Sequence, residues 1–116
     1  MILLRQGDIL LVAIEALPHG ATLVPPVRCH GRLRHVLAVG EATGHAHILL
    51  ADGRVELYRV PEAEHDMTTG YLAVHGDDAM LEHQEHREMP LPAGLYRVVQ
   101  QREHDPMRRR WAHSCD

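Results

Sequence analysis

A chain of 116 residues, 45% hydrophobic and 24% charged, falls in the size range of one domain and can bury roughly two-thirds of its unfolded surface, enough for a core without staples. The formal charge of −4 argues against a large nucleic acid held through overall charge, since such binding draws on clustered cations. Two widely separated cysteines, Cys29 and Cys115, form neither a disulfide framework nor a zinc ribbon, so a reduced, cytoplasmic setting is expected. Protonating all 11 histidines would take the charge from −4 to +7, which leaves a basic patch open at mildly acid pH.

The chain opens on Met1 to Ile14, an apolar run that Arg5 and Asp8 interrupt. It is too broken for a targeting segment or a membrane span and reads as a first strand. Leu17 to Pro26 is rich in breakers and reads as a long loop. Short apolar runs lie at Asp8 to Ile14, Leu33 to Val39, His45 to Leu50, Val55 to Val60, Tyr71 to His75, Met80 to Glu82 and Leu95 to Arg102. None sustains a helical period, so the expected fold is all-β, a small single-domain barrel or sandwich spanning residues 1–116. Asp105 to Ala112, with Pro106 in its first turn, reads as a short C-terminal helix.

Asp52-Gly53 lies between two apolar runs and predicts a two-residue hairpin turn. That register sets Leu49 opposite Glu56, His47 opposite Tyr58 and His45 opposite Val60. Alternation then puts Ala46, Ile48, Leu50, Val55 and Leu57 on a core face, and His45, His47, Glu56 and Tyr58 together on the other. Two histidines at i and i+2 of a strand offer two imidazoles to one metal ion, with Glu56 as a further ligand or as acceptor for the second ring N–H. Gly40 and Gly44, flanking Glu41 and Thr43, imply a specially shaped approach to His45. The plain alternative is a solvated hairpin face.

A second pair, His83 and His86, lies in a charged stretch from Leu81 to Glu88. In a turn or short helix the two share a face; in a strand they oppose one another. Without other information such a stretch is a solvated loop. The last run carries Tyr96, Val98, Gln100 and Arg102 on one face and ends polar, which adds Arg102 and Glu103 as site candidates. Trp111, beside Arg108 to Arg110, packs onto the domain or onto a neighbouring subunit, leaving a homo-oligomer open. Ser114 is the only serine, so a serine nucleophile is not expected.

Arg5-Gln-Gly-Asp8, Gly40-Glu-Ala-Thr-Gly-His-Ala-His47, His83-Gln-Glu-His86, Gly94-Leu-Tyr96 and Gln101-Arg-Glu103 together resemble a family of small uncharacterised bacterial proteins, over nearly the whole chain. That resemblance implies no mechanism. Gly44-His45-Ala46-His47 with the later Pro92-Ala93-Gly94 is also similar to the two motifs of cupins, which implies a β-barrel with an internal metal held by three His and one Glu. Here Glu56 lies well beyond the histidine pair, and Arg97 stands where the second motif has its His. A third imidazole would come from His83 or His86.

Three functions fit these residues. The first is a divalent transition metal (Zn, Fe, Mn, Ni or Cu) held by His45, His47, Glu56 and one of His83 or His86, with a position open for water or a small-molecule substrate. The second is a metal-independent ribonuclease or phosphodiesterase on a short nucleotide, with histidines as acid and base and Arg102 on the developing charge. The third is a non-catalytic interaction module with pH-sensitive histidines.

Overall fold

A computed structural model describes residues 3–29, 31–39, 46–51, 53–60, 67–83 and 87–101. Its strands are β1 (Leu3–Gln6), β2 (Ile9–Ile14), β3 (Thr22–Val24), β4 (Val27–Cys29), β5 (Arg32–Val39), β6 (Ala46–Leu50), β7 (Val55–Arg59), β8 (Thr68–Val74), β9 (Ala79–Glu82), β10 (Met89–Leu91) and β11 (Gly94–Gln100). They form a six-stranded sheet, in the order β1-β2-β11-β8-β7-β3, and a five-stranded sheet, β10-β9-β6-β5-β4. Pairing is antiparallel throughout. The all-β expectation holds as a two-sheet sandwich.

Alternation explains the core. Ile9, Leu11, Val55, Leu57, Leu72, Val74, Tyr96 and Val98 line the inner face of the larger sheet and meet Leu37, Leu49, Leu81 and Leu91 of the smaller one. Each large aliphatic side chain removed from water contributes about 1.5–3 kcal/mol before the entropy of ordering is charged. A second cluster, Val36, Ala46 and Ile48, lies on the other side of β5 and β6. Both faces of β6 are therefore buried, and only its last residue, Leu50, emerges, at 38% exposure.

That burial corrects the hairpin expected at Asp52-Gly53. Strands β6 and β7 do not pair: β6 lies between β5 and β9, whereas β7 lies between β8 and β3 in the opposite sheet. Gly53 does adopt the left-handed conformation, with φ of 91°. Asp52 lies outside the described residues, and the chain between β6 and β7 crosses from one sheet to the other. A tight hairpin would compete with β9 for the second edge of β6, and it would hold Val55 and Leu57 in the smaller sheet, whereas they pack across the core from it.

The opening run is likewise two strands rather than one. Gln6 pairs with Ile9, so Gly7-Asp8 is a two-residue turn with Gly7 at φ of 57°. Residues expected in a long loop include β3. Among the described residues there is no helix, and so none long and apolar enough to cross a membrane. The expected C-terminal helix lies outside the described residues, as does Trp111.

Candidate functional site

Asp8 projects from the β1–β2 turn at the end of the larger sheet, next to the edge strand β1. His47, on β6 of the smaller sheet, shares the inner face with Leu49 and is 1% exposed. Its two ring nitrogens have separate partners across the sandwich. Nδ1 lies 2.8 Å from Oε1 of Gln6, and Nε2 lies 2.9 Å from Oδ1 of Asp8.

The network fixes which partner donates. Gln6 gives both amide hydrogens to main-chain carbonyls, of Leu81 and of Arg87, each at 3.0 Å. The flipped amide would set its oxygen against two other oxygens, so Oε1 faces His47 as acceptor and Nδ1 donates. Gln100 likewise spends both hydrogens, on Oδ2 of Asp8 at 2.9 Å and on the Val39 carbonyl at 3.0 Å. The Asp8 main-chain oxygen accepts from the Gln101 N–H at 2.7 Å, and Arg5 donates to the Gln101 side-chain oxygen.

Asp8 is only partly removed from water. Burial pushes its carboxyl up, but hydrogen bonds from Gln100 and His47, together with the His47 charge, outweigh that and hold it below its ordinary value. It is therefore a carboxylate, and a carboxylate can only accept. Gln6 thus offers His47 an acceptor at Nδ1 and Asp8 offers one at Nε2, an arrangement in which a doubly protonated ring would form a cross-sheet ion pair with Asp8.

His83, just past the end of β9, brings its ring to 4.2 Å from that of His47, tilted by 35°. It is half-buried, and so is nearer to solvent than His47. The structure thus brings together His47 and His83, one member of each predicted pair, and adds Gln6, Asp8 and Gln100. Sequence reasoning quoted Gln6 and Asp8 within a motif without assigning them a site, and placed Gln100 on the right strand face. The missed signal was Gly7-Asp8, a two-residue turn that sets Gln6 at the last paired position and Asp8 in the hairpin tip beside it.

The expected grouping of His47 with Glu56 and Tyr58 does not form. Val55 and Leu57 take the inner face of β7, which leaves Glu56 and Tyr58 on the outer face of the larger sheet. There Glu56 accepts from His75, Nε2 to Oε1 at 3.0 Å, and that bond, against a smaller opposing effect of burial and aided by Tyr58, lowers the Glu56 carboxyl. Burial and the neighbouring Glu56 raise the Tyr58 phenol. His45, His86, Arg102 and Glu103 lie outside the described residues, as do Glu41 and Thr43. Among the described residues no three His, Cys, Asp or Glu side chains form a ready ligand set; Asp8 and His47 supply two donors.

The architecture defines a β-sandwich with a polar site riveted across one end of its two sheets. The chain belongs to the family described as a domain of unknown function, DUF8820, whose profile matches residues 5–101. No curated protein and no solved structure matches the chain.

Proposed function

We propose that this protein binds a divalent transition-metal ion between Asp8 and His47. The observation that carries the reading is the orientation of His47, which gives Nδ1–H to the Gln6 carbonyl and aims Nε2 at Asp8 Oδ1, 2.9 Å away. Ligating imidazoles characteristically donate their second N–H to a fixed oxygen acceptor, which sets the tautomer. Two donor atoms about 3 Å apart are spaced as neighbouring ligands of an ion bound at about 2.0–2.1 Å. In this reading the ion takes the place of the proton between Nε2 and Oδ1, and Gln100 keeps Asp8 in position through its other oxygen.

His83, in ring contact with His47, supplies the next imidazole, and His45 and His86, adjacent in sequence only, are the remaining candidates. A carboxylate with imidazoles suits Zn, Fe, Mn, Ni or Cu and leaves a coordination position for water or a small molecule. Bound there, the ion would act as a Lewis acid or generate hydroxide near neutral pH.

One observation favours the metal-independent alternative: each ring nitrogen of His47 already faces an oxygen acceptor, so a doubly protonated ring is satisfied there without an ion. His83, the less buried ring, would then be the acid or base facing a short nucleotide, with Arg102 on the charge. Elemental analysis of untagged protein, followed by zinc, manganese, nickel and iron titrations of wild type and Asp8→Asn, separates the two. Near-stoichiometric metal that Asp8→Asn loses is the expected result. Failure to take up any of the four ions would sink the metal reading, and nucleotide cleavage persisting in excess EDTA would then put the alternative in its place.

A further inference from the structure

Gln6 makes more of this site than its place in an edge strand suggests. It is 3% exposed, and all three polar positions of its amide are engaged. The oxygen accepts from His47 Nδ1, while the two hydrogens go to the carbonyls of Leu81 and Arg87. Those carbonyls stand on opposite sides of the β9–β10 connection, whose strands pair Leu81 with Met89. His83 leaves β9 inside that connection and reaches the His47 ring. One amide therefore does two things at once: it sets which His47 nitrogen faces Asp8, and it closes the base of the segment that carries His83.

We infer that Gln6 is the positioning residue of the site, coupling the orientation of His47 to the docking of the His83-bearing connection. The chemistry is specific. One acceptor and two donors on a single planar group occur only in Asn and Gln, and Asn is one methylene shorter. Glu has the same reach and keeps the acceptor, but would set a carboxylate against two carbonyls. Met has similar length and offers neither function. The two substitutions therefore separate the two roles of the amide.

The value of that coupling for metal binding rests on the proposed function; the coupling itself does not. Gln6→Glu is expected to leave the His47 Nδ1–H bonded while releasing the connection: proton NOEs between the His47 and His83 rings disappear and amide exchange at Leu81 and Met89, the pair at its base, accelerates by at least tenfold. Gln6→Met should release the connection equally and also free the His47 ring, so zinc affinity falls further than in Gln6→Glu, with losses in the 10–100-fold range typical of removing the partner of a ligand. Should either folded variant keep the ring NOEs and wild-type exchange, the inference is overturned whatever the metal result. Equal zinc losses in both variants would remove the His47-orienting half of it. Wild-type protein that binds no zinc refutes the metal reading alone, since exchange and NOEs in the metal-free protein still decide the role of Gln6.

Discussion

His47 has an oxygen acceptor at each ring nitrogen, and hydrogen-bond accounting makes its charge a measurable property. In EDTA at neutral pH both ring nitrogens should show the nitrogen-15 shifts of protonated imidazolium; one nitrogen in the bare, unprotonated range would contradict the accounting. Asp8 gives the linked pH dependence. Its folded pKa lies below the ordinary 3.8, so the stabilisation is fully present above that value and is lost as pH falls through the lower folded one. Asp8→Asn should cost about 1–3 kcal/mol at neutral pH, less than the 3–5 typical of breaking a fully buried pair, because the Asp8 side chain is 34% exposed and partly screened. Urea unfolding of both proteins between about pH 2 and pH 7 checks this: the gap should narrow on the acid side, and a gap constant over the range would show that Asp8 does not supply it.

Strand β11 shows how one element serves both packing and site. Tyr96 is 1% exposed, donates its hydroxyl to the Pro92 carbonyl at 2.7 Å and lies over Gly94, whose φ is 150°. Burial, with a lesser contribution from Asp78, raises its phenol, so the hydroxyl stays a donor. Tyr96→Phe should cost about 1 kcal/mol, and Gly94→Ala about 1–3 kcal/mol through a backbone conformation that L side chains rarely adopt; thermal melts that rank the two as equal to wild type would refute both. Further along, the same inward face delivers Gln100 to Asp8. That alternation was legible in the sequence, as were the runs that became β2, β5, β7, β8 and β9. The turns were harder to read: Gly7-Asp8 makes the hairpin, while Asp52-Gly53, the stronger signal, joins two sheets. A dipeptide encodes a local backbone bend, but whether the next strand pairs with the last depends on the faces each must bury, and β6 buries both.

Across the whole molecule the site is an inter-sheet fastening. Gln6, Asp8 and Gln100 belong to the larger sheet, and His47, the Leu81 carbonyl and the Val39 carbonyl to the smaller one. The approach of His83 to His47 depends on β9 pairing beside β6, a long-range contact that no local spacing reveals. Histidine content pointed to His47 and His83, which the fold brings into ring contact, but the expected grouping with Glu56 and Tyr58 does not form because it relied on one local register. A ligand held across both sheets binds only the folded state, so its binding energy adds directly to stability, by about 2.7 kcal/mol at a hundredfold excess over Kd. For a domain of this size that corresponds to a rise in Tm of about 10 °C. Melts with and without zinc should show that rise in wild type, a smaller one in Gln6→Glu and none in Asp8→Asn. An equal rise in Asp8→Asn would place the ion elsewhere, because with Asn at position 8 the cross-sheet pair has lost its carboxylate.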